Sequence, residues 1–206
     1  MIFPHVYPII DVGVCRGRGI EPMALAAACL RGGARIMQLR FKDGPSGEFL
    51  LLTEQLVALA GPRGASVIVN DRADIAVMAG AAGVHVGQDD LPVADVRKIV
   101  GPDAIVGVST HDPRQVDAAA AGTASYIAVG PIFGTATKDT GYAARGLDLI
   151  RYAAATGKPT AAIGGITLAN APSVLAAGAT SIAVIGDLFI GENPEARTRA
   201  FEHLRT

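Results

Sequence analysis

The sequence predicts a single α/β domain closed into a (β/α)8, or TIM, barrel. Three observations carry that prediction. Short apolar runs recur along the chain, each followed by an Ala-rich helical stretch, and eight such units can be counted. The runs are apolar throughout instead of alternating with polar residues, as parallel strands buried on both faces must be. The chain has 206 residues, half of them hydrophobic, enough for one sizeable core, and no linker-like composition shift divides it. A doubly wound open sheet is the alternative arrangement of the same units.

The units follow in order. Val6–Asp11 reads as the first strand, with an acid at its end, followed by a Gly-rich loop through Gly19. Glu21-Pro22 opens a helix that stops at Gly32-Gly33, proline suiting a first turn and glycine a C-cap. The second strand runs from Arg35 to Arg40, and Ser46 reads as the N-cap of a helix through Ala60, closed by Gly61-Pro62. Ser66–Val69 is the third strand, ending in Asn70-Asp71, with a short helix to Gly80; Gly83–Gly87 is the fourth, ending in Gln88-Asp89-Asp90. Pro92 starts a helix closed by Gly101-Pro102. The fifth strand, Ile105–Val108, ends in Ser109-Thr110-His111, and Asp112-Pro113 caps and opens a helix through Ala121. Tyr126–Val129 is the sixth strand, followed by a long loop from Ile132 to Arg145 and a helix from about Leu147. Thr160–Ile163 and Ser181–Val184 complete the set, each followed by a helix, the last from Pro194 to about Leu204.

Composition excludes several function classes. The net charge is −1, the basic residues are scattered and aromatics make up 5%, so neither nucleic acid nor a membrane surface is an expected partner. Cys15 and Cys29 fit neither a zinc motif nor a disulfide framework. With no signal-peptide pattern and no apolar run of membrane-spanning length, the expected setting is cytoplasmic.

The polar residues are distributed unevenly. Arg40, Lys42, Asn70, Asp71, Asp90, Ser109, Lys138, Gly165 and Gly186 all follow strand ends, which in a barrel converge on the face that holds active sites. Period-two alternation in Gln38-Leu39-Arg40-Phe41-Lys42 puts Gln38, Arg40 and Lys42 on one side and Leu39 and Phe41 on the other. Such a cationic surface suits an anionic ligand; a solvated strand end gives the same pattern. Asp71 with Asp90 suits a hard cation such as Mg²⁺, although both also fit helix N-caps, and spacing does not separate Asp90 from Asp89. Gly164-Gly165 and Ile185-Gly186 end the last two strands, where backbone amides commonly hold a phosphate; two tight turns would read alike. The loop Gly134–Gly141 carries hydroxyls and one lysine, as a loop closing on an anion would. His85 reads as a core or cavity-lining residue.

Taken together and in order, Gln38-x-Arg40-x-Lys42, Asn70-Asp71, His85-Val86-Gly87-Gln88-Asp89-Asp90, Gly107-Val108-Ser109, Gly130-Pro131-Ile132-Phe133, Thr135-x-Thr137-Lys138, Gly164-Gly165-Ile166 and Ile185-Gly186 resemble the thiamine-phosphate synthase (thiamine-phosphate pyrophosphorylase) family. The resemblance spans nearly the whole chain. It implies a transferase that joins 4-amino-2-methyl-5-hydroxymethylpyrimidine diphosphate to hydroxyethylthiazole phosphate and releases pyrophosphate. It implies that Gln38, Arg40, Lys42, Asn70, Ser109 and Lys138 hold the pyrimidine diphosphate, with Leu39 and Phe41 inside the binding stretch. Of these, Arg40, Lys42, Ser109 and Lys138 would serve catalysis. Asp71 and Asp90 would hold one Mg²⁺ per subunit, which selects Asp90 over Asp89. Thr135, Ala136, Thr137, Gly165, Ile185 and Gly186 would hold the thiazole phosphate. A homodimer is the implied assembly. Two departures stand out: Gly186 replaces a common serine, and the first strand reads Tyr-Pro-Ile-Ile-Asp instead of Tyr-x-(Ile/Val)-Thr-Asp. The related thiazole tautomerases tend to carry a histidine where Pro131 stands here. A non-catalytic sensor of thiamine phosphates would have no need of both carboxylates and every cation. A sugar-phosphate isomerase would want a strand-end base, and none stands out.

Overall fold

The structure, a computed structural model, describes residues 4–134, 142–191 and 193–204. Eight strands close into a barrel in sequence order, each paired in parallel with its neighbours. They are β1 (Val6–Asp11), β2 (Ile36–Arg40), β3 (Ser66–Asn70), β4 (Gly83–Val86), β5 (Ile105–Thr110), β6 (Tyr126–Val129), β7 (Thr160–Ile163) and β8 (Ser181–Val184). The closed order excludes the open sheet.

The helices are α1 (Val12–Gly17), α2 (Pro22–Arg31), α3 (Ser46–Ala60), α4 (Ala73–Met78), α5 (Val93–Val100), α6 (Pro113–Ala121), α7 (Gly146–Ala154), α8 (Ala171–Ala176) and α9 (Pro194–Glu202). Two expected punctuation marks hold. Pro22 opens α2 and Gly33 takes φ 109° beyond its end, while Asp112 caps α6 by accepting from the Gln115 N–H.

Other boundaries differ from expectation. Part of the Gly-rich loop after β1 is α1, because the Asp11 carboxylate accepts the Val14 N–H and caps it. Ser46 is not the cap of α3. Pro45 holds that position, and the Ser46 hydroxyl accepts a bond from Arg72. After α3 the chain continues through a 3₁₀ turn, Gly61–Arg63, and reverses only at Gly64, at φ 63°. β5 extends to Thr110, and α8 starts at Ala171 because Asn170 and Thr167 tie up the preceding turn.

Strand alternation produces two cores. Outward residues such as Leu39, Val69, Val84, Val106, Ile127 and Ile182 join the helices in a large apolar layer. Inward residues Tyr7, Ile9, Ile36, Ile68, Ile105, Tyr126, Ala128, Ala161 and Ala183 fill the barrel. Glycines accommodate the large ones. A Cβ at Gly83 would stand 1.8 Å from the Ile105 carbonyl oxygen, and one at Gly107 2.0 Å from the Tyr126 ring. The C-terminal α9 packs on α2, close enough that a Cβ on Gly32 would lie 2.7 Å from that of Thr198. Among the described residues, no helix is long and apolar enough to cross a membrane.

Candidate functional site

Above the inward core, the strand ends open into a cavity of about 430 Å³, a size suited to small ligands. One wall is charged. Register sets Asp11 beside Arg40 on the barrel interior, and the Arg40 guanidinium donates to the Asp11 carboxylate at 2.5 Å. Both are largely buried, with side chains 17% and 8% exposed. The second Asp11 oxygen caps α1, so one carboxylate fixes both a helix start and a cavity guanidinium.

Next along the wall, Lys42 donates to Asp71 at 2.7 Å. Asp71 sits at φ 62°, a left-handed conformation that non-glycine residues seldom adopt. It is held by its N–H donating to the His85 carbonyl and by Lys42. Asp90 accepts the Gly87 N–H at 2.8 Å. Burial pushes the Asp71 carboxyl above its ordinary range, Lys42 pulls it back, and the adjacent Asp90 carboxylate raises it further. Neither aspartate is a helix N-cap: those positions belong to Arg72 for α4 and Pro92 for α5.

The opposite wall relies on backbone. Gly164 and Gly165 adopt φ 102° and 63°, and a Cβ on Gly165 would stand 2.5 Å from the Gly134 carbonyl oxygen. Asn170 ties this turn by donating to the Gly165 carbonyl and accepting the Thr167 N–H. Ile185 and Gly186 also line the cavity, where a 3₁₀ turn, Gly186–Phe189, begins. Asp187 in that turn receives two bonds from the Arg197 guanidinium, at 2.8 and 2.9 Å, locking the turn to α9. Ile163, Ile166 and Ile190 make this wall apolar.

The floor is polar. Gln38 donates to the Tyr7 hydroxyl, which bonds that of Tyr126; His85 bridges Tyr126 and Ser109. Asn70 is buried and lines the cavity. At the rim His111 stacks on Tyr142, with ring centroids 4.0 Å apart, and the Arg145 guanidinium lies 5.1 Å from the centre of the Tyr142 ring.

This geometry has relatives. A model described as "Thiamine monophosphate synthase" matches residues 6–188. The chain belongs to the thiamine monophosphate synthase family. A thiamine-phosphate synthase of Roseiflexus sp. (strain RS-1) is 43% identical over 95% of this chain and 82% of its own length. One of Mycobacterium bovis (strain BCG / Pasteur 1173P2) is 48% identical over 88% and 85%. Among solved structures, the thiamine phosphate pyrophosphorylase from Pyrococcus furiosus superimposes with a TM-score of 0.86 at 28% identity, covering 96% of this chain and 93% of that one. The family's members are transferases of thiamine biosynthesis, and this chain is an enzyme of that class.

Within the family's frame, the structure brings together Gln38, Arg40, Lys42, Asn70, Asp71, Asp90, Ser109, Gly165, Ile185 and Gly186 around one cavity. Two residues of the expected binding stretch point elsewhere. Leu39 is fully buried in the outer core, and Phe41 packs on Phe49 beneath Arg16. The pleat that aims Arg40 inward aims both of these outward. Thr135, Ala136, Thr137 and Lys138 lie outside the described residues. Sequence reading missed Asp11, Tyr7 and Tyr126. The acid ending the first strand was the available signal for Asp11; nothing in an apolar strand marked Tyr126.

Proposed function

We propose that this chain condenses 4-amino-2-methyl-5-hydroxymethylpyrimidine diphosphate with hydroxyethylthiazole phosphate, giving thiamine phosphate and pyrophosphate. The observation that carries the reading is the pairing of walls in one cavity. Arg40, Lys42, Asp71 and Asp90 gather on one side, and the glycine turns at Gly165 and Gly186 on the other, in a chain of this family.

The chemistry follows from the parts. The carbon–oxygen bond to pyrophosphate breaks, the leaving group keeps the electron pair, and the thiazole nitrogen supplies the pair for the new carbon–nitrogen bond. No strong base is required. The developing charge on pyrophosphate needs cations, which Arg40 and Lys42 supply from fixed positions, joined by Lys138 according to the family resemblance. Gln38, Asn70 and Ser109 orient the pyrimidine, and backbone amides near Gly165 and Gly186 hold the thiazole phosphate.

The residues present fit a divalent cation. Two adjacent carboxylates, one half-buried and raised by the other, form a hard oxygen donor set that completes its shell with water and phosphate oxygens. When bound, Mg²⁺ would neutralise diphosphate charge. Asp71 and Asp90 would hold one ion, and Lys42 fixes the Asp71 carboxylate by donating to it at 2.7 Å.

The test is pyrophosphate release by purified protein. Release that needs both substrates and stops on chelation supports the reading. A folded protein that binds thiamine phosphate without releasing pyrophosphate would be a sensor, and the reading fails.

A further inference from the structure

Five side chains from five strands form one unbroken hydrogen-bond chain beneath the cavity. Gln38 Nε2 donates to Tyr7 Oη at 3.1 Å. Tyr7 and Tyr126 Oη lie 2.9 Å apart. Tyr126 Oη lies 2.8 Å from His85 Nδ1, and His85 Nε2 lies 2.9 Å from Ser109 Oγ. Gln38 and Ser109 line the cavity at the two ends. Tyr126, in the middle, is fully buried and is not a lining residue. It therefore connects groups that meet a ligand without meeting the ligand itself.

One order of donors runs unbroken through the chain. Burial drives both phenols well above their ordinary range, so each keeps its single proton. The Tyr7–Tyr126 contact admits either donor, since a hydroxyl oxygen has two lone pairs; in the order that continues from Gln38, Tyr7 donates to Tyr126 and Tyr126 donates to His85 Nδ1. A neutral imidazole that accepts at Nδ1 carries its proton on Nε2. In that order the Nε2 proton goes to Ser109 Oγ, which leaves the serine's own hydrogen free of His85 and able to point into the cavity that Ser109 lines. Packing holds the Tyr126 ring, and with it the hydroxyl oxygen, in place. Its ring stacks on His85 at 5.5 Å and 24°, meets Tyr7 edge-on at 6.0 Å, and fills the space left open by Gly107.

We propose that Tyr126 is a positioning residue: it fixes His85 as the Nε2–H tautomer and so presents Ser109 as a hydrogen-bond donor to a ring nitrogen of the bound pyrimidine. The ligand in this statement rests on the proposed function; the tautomer does not.

The first measurement is nitrogen-15 NMR of the four histidines at about pH 8, above the ordinary histidine range, with His85 assigned by the loss of its signals in His85→Asn. A pyridine-type Nδ1 with a pyrrole-type Nε2 is expected. The reverse pattern, with Ser109 donating to Nε2, overturns the proposal whether or not the protein turns over. The second measurement is Tyr126→Phe, which keeps the ring and removes the hydroxyl. Its His85 signals should show mixed tautomers. KM for the pyrimidine diphosphate should rise about tenfold, the scale of one lost hydrogen bond, with KM for the thiazole phosphate unchanged. Unchanged His85 signals and an unchanged pyrimidine KM would also overturn it. A wild type that never releases pyrophosphate would refute the synthase reading while leaving the tautomer result standing.

Discussion

The two cores of this barrel are built from alternate residues of the same strands, yet they do different work. The outer layer, between strands and helices, is almost wholly apolar: Leu39, Leu56, Val69 and Ile150 are fully buried there. The inner layer mixes Ile36, Ile68 and Ile105 with Gln38, Tyr7, Tyr126 and His85, all hydrogen-bonded, and above it come the ion pairs Arg40–Asp11 and Lys42–Asp71. Apolar burial is non-directional and supplies stability in proportion to area. Polar groups inside a barrel cost desolvation and repay it only when every partner is in place. The difference teaches that stability and site chemistry are separated here by a single step along a strand.

Substitutions on the two faces should therefore fail in different assays. Leu56→Ala, in the outer layer on α3, is expected to cost about 2–5 kcal/mol of folding stability, read by urea unfolding, with the turnover of folded protein unchanged. Arg40→Ala, on the inner face, is expected to lower kcat by about 10²–10³-fold, by analogy with a lost oxyanion donor, read by pyrophosphate release. A rate near wild type for Arg40→Ala would remove it from the leaving-group role. Asp11→Asn should follow Arg40→Ala in direction with a smaller loss, because the guanidinium remains but loses its charged anchor.

Gly165→Ala tests the backbone wall. The left-handed φ and the approach of the Gly134 carbonyl leave no place for a Cβ. A stability cost of about 1–3 kcal/mol is expected, together with a raised KM for the thiazole phosphate and little change for the pyrimidine diphosphate. An equal effect on both substrates would break the assignment of this wall.

The smallest effect concerns the buried thiols. Burial raises Cys15 and Cys29 from 9.0 to about 11. The native state then keeps these protons to higher pH than the unfolded chain does. Their contribution to stability is complete below about 9 and is lost as pH rises toward about 11. Native protein at neutral pH should resist thiol reagents that label both cysteines in urea, and Cys29→Ala should flatten the alkaline fall in stability.

Much of the barrel was legible because its signals are local. Apolar runs, proline at helix starts and glycine after helix ends each act within a few residues. The mouth was legible for a related reason: Arg40, Asn70, Asp71 and Asp90 all lie at or just beyond strand ends, and a barrel gathers those ends. What stayed hidden depends on register. Asp11 and Arg40 are 29 positions apart and meet only because β1 and β2 pair in one particular alignment. Tyr126 reads as one more apolar strand residue until β4, β5 and β6 are placed side by side. Leu39 and Phe41 show alternation and motif pulling apart: alternation puts them opposite Arg40, and they do pack outward, Leu39 in the outer core and Phe41 on Phe49. They belong to a contiguous motif, but a strand divides such a motif between two faces. Ser46 went to Arg72 instead of its own helix because a guanidinium from the next unit stands within reach.

The rim stack of His111, Tyr142 and Arg145 has an optical consequence. The protein contains no tryptophan and only four tyrosines. Tyr7 and Tyr126 are locked in the interior, and the Tyr152 hydroxyl donates to the Asp117 carboxylate, an arrangement that quenches phenol emission. Tyr142 is partly exposed and touches both an imidazole that lines the cavity and a guanidinium. Whatever enters past His111 and disturbs its stack with Tyr142 should change the ultraviolet emission of the native protein, so arrival at the mouth can be timed without attaching a dye.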